Sequence, residues 1–222
     1  MNERGNIPMT ERRINVGSND LFLAVDVQND FCPDGALAVP GGDEVVPAIN
    51  RLARVFRHVV LTQDWHQSDH LSFASSHPGA KSFGLMTLPY GEQVLWPDHC
   101  VQGSAGAQFH RDLDVPQAEL IIRKGFDPTI DSYSAFREND RRTRTGLAGY
   151  LRERGIARLF IAGLALDFCV RYSAEDAKSE GFEIIVIEDA CRAIDVAGSL
   201  DDARRSFKAF GIPLIAADQV FR

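Results

Sequence analysis

The chain has 222 residues, 45% of them hydrophobic, and a formal net charge of -7. That length buries one sizeable core and forces no second domain. The charge is spread without acidic or basic blocks, which argues against a nucleic-acid face or a polybasic membrane anchor and favours a small-molecule or protein partner.

The opening residues, "MNERGNIPMTERRINVGSND", lack the continuous apolar run of a secretory leader, and no later stretch reaches the length of a membrane span. Residues 1–19 are expected to form a polar tail before a single domain over 20–222, in a cytoplasmic protein. Apolar or β-branched runs then recur as expected strands. "LFLAVDV" (21–27) is followed by a helical stripe of Ile49, Leu52, Ala53 and Phe56, with Pro47 in its first turn. "HVVLTQD" (58–64) leads into a long excursion, residues 65 to about 119, which carries both tryptophans and five of the six histidines. A connection of that length inside a compact domain is functional or disordered, and its aromatic content argues against disorder. "LIIRKG" (120–125) and "RLFIAGL" (158–164) come next, then a helix over 168–180 that stops at Gly181. "FEIIVIED" (182–189) precedes a helix from Ser199 with Leu200, Ala203, Phe207 and Phe210 on one stripe, "SLDD" as its N-cap and Gly211 as its stop. "IPLIAAD" (212–218) is the sixth run. Continuously apolar strands alternating with helices predict an α/β fold: a doubly wound, mainly parallel six-stranded sheet with helices on both faces.

Four chemistry-bearing residues fall at or just past the ends of the first four strands: Asp26, Asp64, Lys124 and Cys169. In open α/β sheets that edge is where ligands bind. Cys169 falls in the first turn of a helix, where free N–H groups and a nearby lysine favour a thiolate, and Asp26 could take the thiol proton. Base, cation and soft nucleophile suffice for acyl transfer. An Asp26–Lys124 ion pair beside an inert thiol fits the spacing equally well. The four cysteines, Cys32, Cys100, Cys169 and Cys191, are scattered and expected as free thiols.

"QDWHQSDH" (63–70) places Asp64 and His66 two apart on extended chain, where both can address one metal ion, with His99 or His70 as a third ligand. Such a set leaves coordination positions open for substrate and suits zinc, iron or manganese. His70, His77 and His110 otherwise read as solvated surface histidines, His58 as packing or capping, and Cys100 as a buried thiol. Phe31, Trp96 and Tyr133 are core residues or a slot for an aromatic ring.

The stretches "AVDVQNDFCPDGALAVPGGDEVVPAIN", "TQDWHQSDHLSFASSHPG", "LWPDHCVQGSAGAQFH", "IIRKGFDPTIDSYSAFREND" and "IAGLALDFCVRYSAEDAKSEGFEIIVIEDACRAID" resemble, in order and spacing, the nicotinamidases of the isochorismatase-like cysteine hydrolase superfamily. The resemblance runs from about residue 20 to the C-terminus. It implies a catalytic triad of Asp26, Lys124 and Cys169, one divalent metal ion on Asp64, His66 and His99, with zinc preferred over iron or manganese, and ring contacts from Phe31, Trp96 and Tyr133. It also implies a cis peptide at Leu164–Ala165 and an oxyanion hole from the N–H groups of Ala165 and Cys169. Some relatives complete the metal shell eight residues after the aspartate, a position held here by Ser72. Leu166 stands where the motif usually has threonine. The implied activity is deamidation of nicotinamide through a thioester for NAD salvage, extending to pyrazinamide. Nicotinamide is the expected partner, with no nucleic acid or membrane, and a homo-oligomer is left open. The alternatives are another amide or ureido hydrolase of the superfamily, or a non-catalytic ligand-binding member.

Overall fold

The computed structural model describes residues 13–221. Its core is a six-stranded parallel sheet built from β2 (Asp20–Val25), β3 (His58–Asp64), β6 (Leu120–Lys124), β7 (Arg158–Leu164), β8 (Glu183–Arg192) and β9 (Leu214–Ile215), in the order β6-β3-β2-β7-β8-β9. Two further pairs lie outside it: β1 (Ile14–Asn15) runs parallel to β10 (Val220–Phe221), and β4 (Leu85–Leu88) forms an antiparallel hairpin with β5 (Gly91–Val94). Among the described residues the α-helices are α1 (Val46–Ala53), α2 (Leu147–Glu153), α3 (Arg171–Ser179) and α4 (Ser199–Ala209).

Every residue of β2 is buried, as is all of β7 except Arg158, which is why these strands are continuously apolar. The chain leaves β2 towards β3 in one direction and later crosses back to place β7 on the other side of β2. Right-handed crossovers then set α1 on one face and α3 and α4 on the other. Both α1 and α3 contact β8. The crevice of a doubly wound sheet opens at the carboxyl ends of the two strands flanking this reversal, here β2 and β7.

Differences from the sequence reading have local causes. The tail expected over 1–19 is shorter at its inner end, because Ile14 and Asn15 pair with Val220 and Phe221; residues 1–12 lie outside the described residues. Strand β6 is an edge strand, and Ile121 within it is exposed rather than covered on both faces. β8 runs on to Arg192 because its register against β7 shifts between Ile161 and Gly163. There Gly163 has φ 125°, and a Cβ would stand 2.1 Å from the carbonyl oxygen of Val25, so β2 and β7 close up only over a glycine. The N-cap expected from "SLDD" is absent: Gly198 precedes α4, and the Ser199 hydroxyl donates instead to Asp167. Phe210 lies just past the end of α4 and is partly exposed. The excursion 65–119 is ordered around the β4–β5 hairpin, with short bridges from His66 to Val101 and from Phe73 to Trp96.

Candidate active site

Three strand ends deliver the triad expected from the sequence. Asp26 follows β2 in a left-handed conformation (φ 48°), which turns its carboxylate out of the strand path. Lys124 ends β6, and Cys169 sits in a π-type turn, Leu166–Val170, that opens α3; such turns recur at functional sites. The Lys124 ammonium, fully buried, lies 2.9 Å from Asp26 Oδ2, 2.8 Å from Asp64 Oδ1, 3.1 Å from the Ser132 carbonyl oxygen and 3.5 Å from Cys169 Sγ. The ion pair that rivalled the catalytic reading is therefore present, and the thiol belongs to the same cluster.

Electrostatics assign the protons. Burial pulls Lys124 down, but Asp26 and Asp64 outweigh it and hold the ammonium charged, well above its ordinary range. Burial pushes the Cys169 thiol well above its usual value; Lys124 opposes this, while Asp26 and Asp64 add to it. The free-state thiolate that the helix terminus and lysine suggested is thus not favoured. Burial also raises Asp26, against Lys124. Its Oδ1 accepts from the Thr62 hydroxyl at 2.5 Å, whereas Oδ2 accepts no well-directed hydrogen bond. That oxygen is the one available to a proton from the thiol.

Asp64, His66 and His99 converge beside the triad, all buried, with donor atoms within 4.8 Å of one another. His66 Nε2 is 3.0 Å and His99 Nε2 3.2 Å from Asp64 Oδ2. Ligands at right angles on an ion, with bonds of about 2.1 Å, stand about 3 Å apart. The Nδ1 atoms donate to backbone carbonyls, that of His66 to Gly125 at 2.9 Å and that of His99 to Pro97 at 2.8 Å, which leaves both Nε2 lone pairs free for a metal. Asp26, Asp64 and Asp131 bring three buried carboxylates to a region with one buried ammonium, a deficit a cation offsets. The donor set fits a divalent metal. Gly125 makes it possible: at φ 67°, a Cβ there would lie 2.3 Å from the His66 ring.

His70 is not the solvated histidine expected from sequence. It is fully buried, its ring 4.3 Å from that of His66, and it forms a second close group with His66 and Asp131. The Ser72 N–H donates to its Nδ1, so the neutral ring carries its proton on Nε2, the opposite tautomer from the two ligand histidines. The Ser72 hydroxyl itself lies 2.8 Å from that ring's Nδ1. His77 and His110 are half-buried, and His77 Nε2 pairs with the Leu71 carbonyl. His58 faces Glu119. Cys100 is buried, with burial pushing its thiol well up.

A narrow pocket of about 20 Å³ opens onto Cys169 and is lined by Phe31, Trp96, Tyr133, Ala165, Asp64 and His99, joined by Leu37, Asp131, Ser132, Phe168 and Ile194. Trp96 meets Phe168 edge-on at 4.9 Å and donates through Nε1 to the Tyr133 hydroxyl at 3.2 Å, which fixes the slot's width. The peptide Leu164–Ala165 is cis. Leu166 faces away, into a separate groove with Cys191, Leu200, Leu214 and Ile215, so the residue replacing threonine does not line the pocket.

Sequence reasoning missed Thr62, Gln28 and Phe168. Thr62 holds Asp26 from β3; Gln28 bridges the Asp64 backbone, donating to its carbonyl and accepting from its N–H, each at 2.8 Å. The available signal for Thr62 was a polar pair, Thr62 and Gln63, set between the apolar run Val59–Leu61 and Asp64.

Glu138 packs behind this cluster, 2% exposed, with Oε2 unpartnered. Burial, opposed by Ser132 and Lys124, raises its carboxyl to about 7. Because the folded state then binds a proton more tightly than the unfolded one, the stability it confers is full below about pH 4.5 and is lost as pH rises through about 7. Glu138→Gln is expected to remove up to about 3 kcal/mol of decline between pH 5 and 8 in urea titrations. Parallel pH profiles for the two proteins would contradict this.

The isochorismatase domain family matches residues 20–219. The nicotinamidase of Acinetobacter baylyi is 52% identical over 212 residues, 96% of this chain and 99% of that protein. Among solved structures, an Acinetobacter baumanii nicotinamidase and pyrazinamidase superposes with TM-score 0.90 at 52% identity, covering 91% of this chain and 98% of that one. A pyrazinamidase of Pyrococcus horikoshii in complex with zinc superposes at 0.73 with 34% identity, covering 89% and 99%. The chain belongs to the isochorismatase-like hydrolase family, alongside its nicotinamidase members.

Proposed function

We propose that the protein hydrolyses nicotinamide to nicotinate and ammonia through a thioester on Cys169, and acts likewise on pyrazinamide. The observation that carries this reading is a buried thiol 3.5 Å from a lysine that also holds two carboxylates, at the wall of an aromatic slot bearing a metal-ligand set. The strong likeness to nicotinamidases supports the choice of substrate.

The ring lies in the slot of Phe31, Trp96 and Tyr133, with its carboxamide towards Cys169. Asp26 takes the thiol proton through Oδ2, and Sγ attacks the carboxamide carbon as Lys124 offsets the charge. The N–H groups of Ala165 and Cys169 hold the oxyanion; in comparable sites one such donor contributes roughly 3–4 kcal/mol. Asp26 returns its proton to the departing nitrogen, which leaves as ammonia. It then takes a proton from the water that opens the thioester, and the thiol recovers that proton as the acid leaves. Asp64, His66 and His99 would hold a divalent ion, zinc in our reading as in the Pyrococcus horikoshii protein, which when bound supplies a Lewis acid for a ring nitrogen. The apolar slot keeps bulk water from the thioester until the amine has left.

The enzyme works in the cytoplasm, in NAD salvage. Among the described residues no helix is long and apolar enough to cross a membrane. The test is ammonia and nicotinate release from nicotinamide, with metal content measured on the same sample. Metal-loaded protein that releases neither would overturn the proposal.

A further inference from the structure

The turn that carries Cys169 also carries a carboxylate with no part in the chemistry above. Asp167 is 1% exposed, and its partners are two donors of one distant loop and one from the helix that follows it: Ile194 N–H to Oδ1 at 3.1 Å, Asp195 N–H to Oδ2 at 2.8 Å and the Ser199 hydroxyl to Oδ2 at 2.5 Å. That loop joins β8 to α4. It is strained: Asp195 (φ 57°), Ala197 (φ 52°) and Gly198 (φ 84°) are all left-handed, two of the three bear side chains that resist that conformation, and its local bonds, Ser199 N–H to the Val196 carbonyl at 3.0 Å and Leu200 N–H to Asp195 Oδ1 at 3.3 Å, leave the N–H groups of Ile194 and Asp195 to Asp167. A carboxylate suits the position because it only accepts, so it satisfies two N–H groups and a hydroxyl together; an amide would turn its NH2 towards one of these donors. The loop reaches the active site through one residue. Ile194, half-buried, lines the pocket together with Phe31, Leu37, Phe168 and Cys169.

We infer that Asp167 is a positioning residue that ties the Ile194 wall of the pocket to the nucleophile's turn and thereby sets affinity for the ring carboxamide. A single residue, Phe168, separates Asp167 from Cys169, and the Ile194 backbone hangs on its carboxylate, so wall and nucleophile keep one spacing. The kinetic part of this inference rests on the nicotinamidase reading; the anchoring part does not.

The test compares Asp167→Asn, Ser199→Ala, Ile194→Ala and the Asp167→Asn/Ile194→Ala double variant. Amide hydrogen exchange is followed at Ile194 and Asp195, alongside kcat and KM for nicotinamide. In Asp167→Asn both amides are expected to exchange about tenfold faster or more, with KM raised about tenfold and kcat within about threefold of the parent. Ser199→Ala, which keeps the charge and loses one bond, should fall between, and carries the test if the asparagine variant fails to fold. The double variant should have a KM no higher than the worse single variant, since both act through one wall. Unchanged exchange at the two amides overturns the anchoring. A fall in kcat with KM unchanged, or additive effects on KM, overturns the action through Ile194. If the parent protein releases no ammonia from nicotinamide, the proposed function fails, while the exchange measurement still decides the anchoring.

Discussion

Replacing Cys169 by alanine is expected to lower ammonia release from nicotinamide by about ten-thousandfold or more, because without sulfur no covalent route remains and the surviving donors only bind. The fold should hardly notice. Cys169 is a small buried side chain, and its neighbour, the Lys124 ammonium at 3.5 Å, keeps Asp26, Asp64 and the Ser132 carbonyl as partners. A change in stability within about 1 kcal/mol is therefore expected. Metal content should match the parent, since Asp64, His66 and His99 are untouched, and nicotinamide should still bind in calorimetry. Serine at the same position is a sharper probe: burial that already pushes the thiol up would disfavour an alkoxide far more, so Cys169→Ser should be nearly as inactive as alanine. Turnover in Cys169→Ala above about one part in a hundred would remove the thioester from the mechanism.

The legibility of this chain divides along sequence distance. Strands β2, β3, β7 and β8 could be read because burial on both faces leaves a local trace, a run of apolar residues. Asp26, Lys124 and Cys169 could be grouped because strand ends in a doubly wound sheet converge, so position along the strand stands in for position in space. The strand-end argument left an inert ion pair equally open, and motif resemblance carried the choice. What was not legible depends on partners far along the chain. Thr62 orients Asp26 across 36 positions, and Asp167 anchors Ile194 across 27; neither pairing leaves a periodic mark. His70 misled because a histidine in a polar stretch reads as solvated, while its ring packs at a tilt against His66 and accepts from the Ser72 N–H. Thiol ionisation was misjudged for a related reason. Helix terminus and lysine were visible in sequence, but the desolvation that outweighs them belongs to the packed site.

Lys124→Met is expected to cost both activity and stability, and the two losses can be separated. The ammonium is the shared partner of Asp26 and Asp64, all three buried. Removing it leaves two carboxylates facing each other in a medium of low polarity, and breaking such a pair typically costs about 3–5 kcal/mol. The cost should depend on pH in a definite direction. Asp64 is held well below the usual carboxylate range: burial raises it, but His66 and Lys124 outweigh that. Its stabilisation is therefore present above its unfolded pKa and lost as pH falls through its lower folded value. In the variant the carboxylates protonate more readily, so the gap between the two proteins should be widest near neutrality and should close in acid, at one fixed metal occupancy. Adding Asp26→Asn to Lys124→Met removes one of the stranded charges and should recover part of the stability, whereas ammonia release stays absent because both proton acceptor and cation are gone. A gap that is constant from neutral to acid pH, or a double variant less stable than the single one, would mean that Lys124 acts by packing its chain and not by its charge.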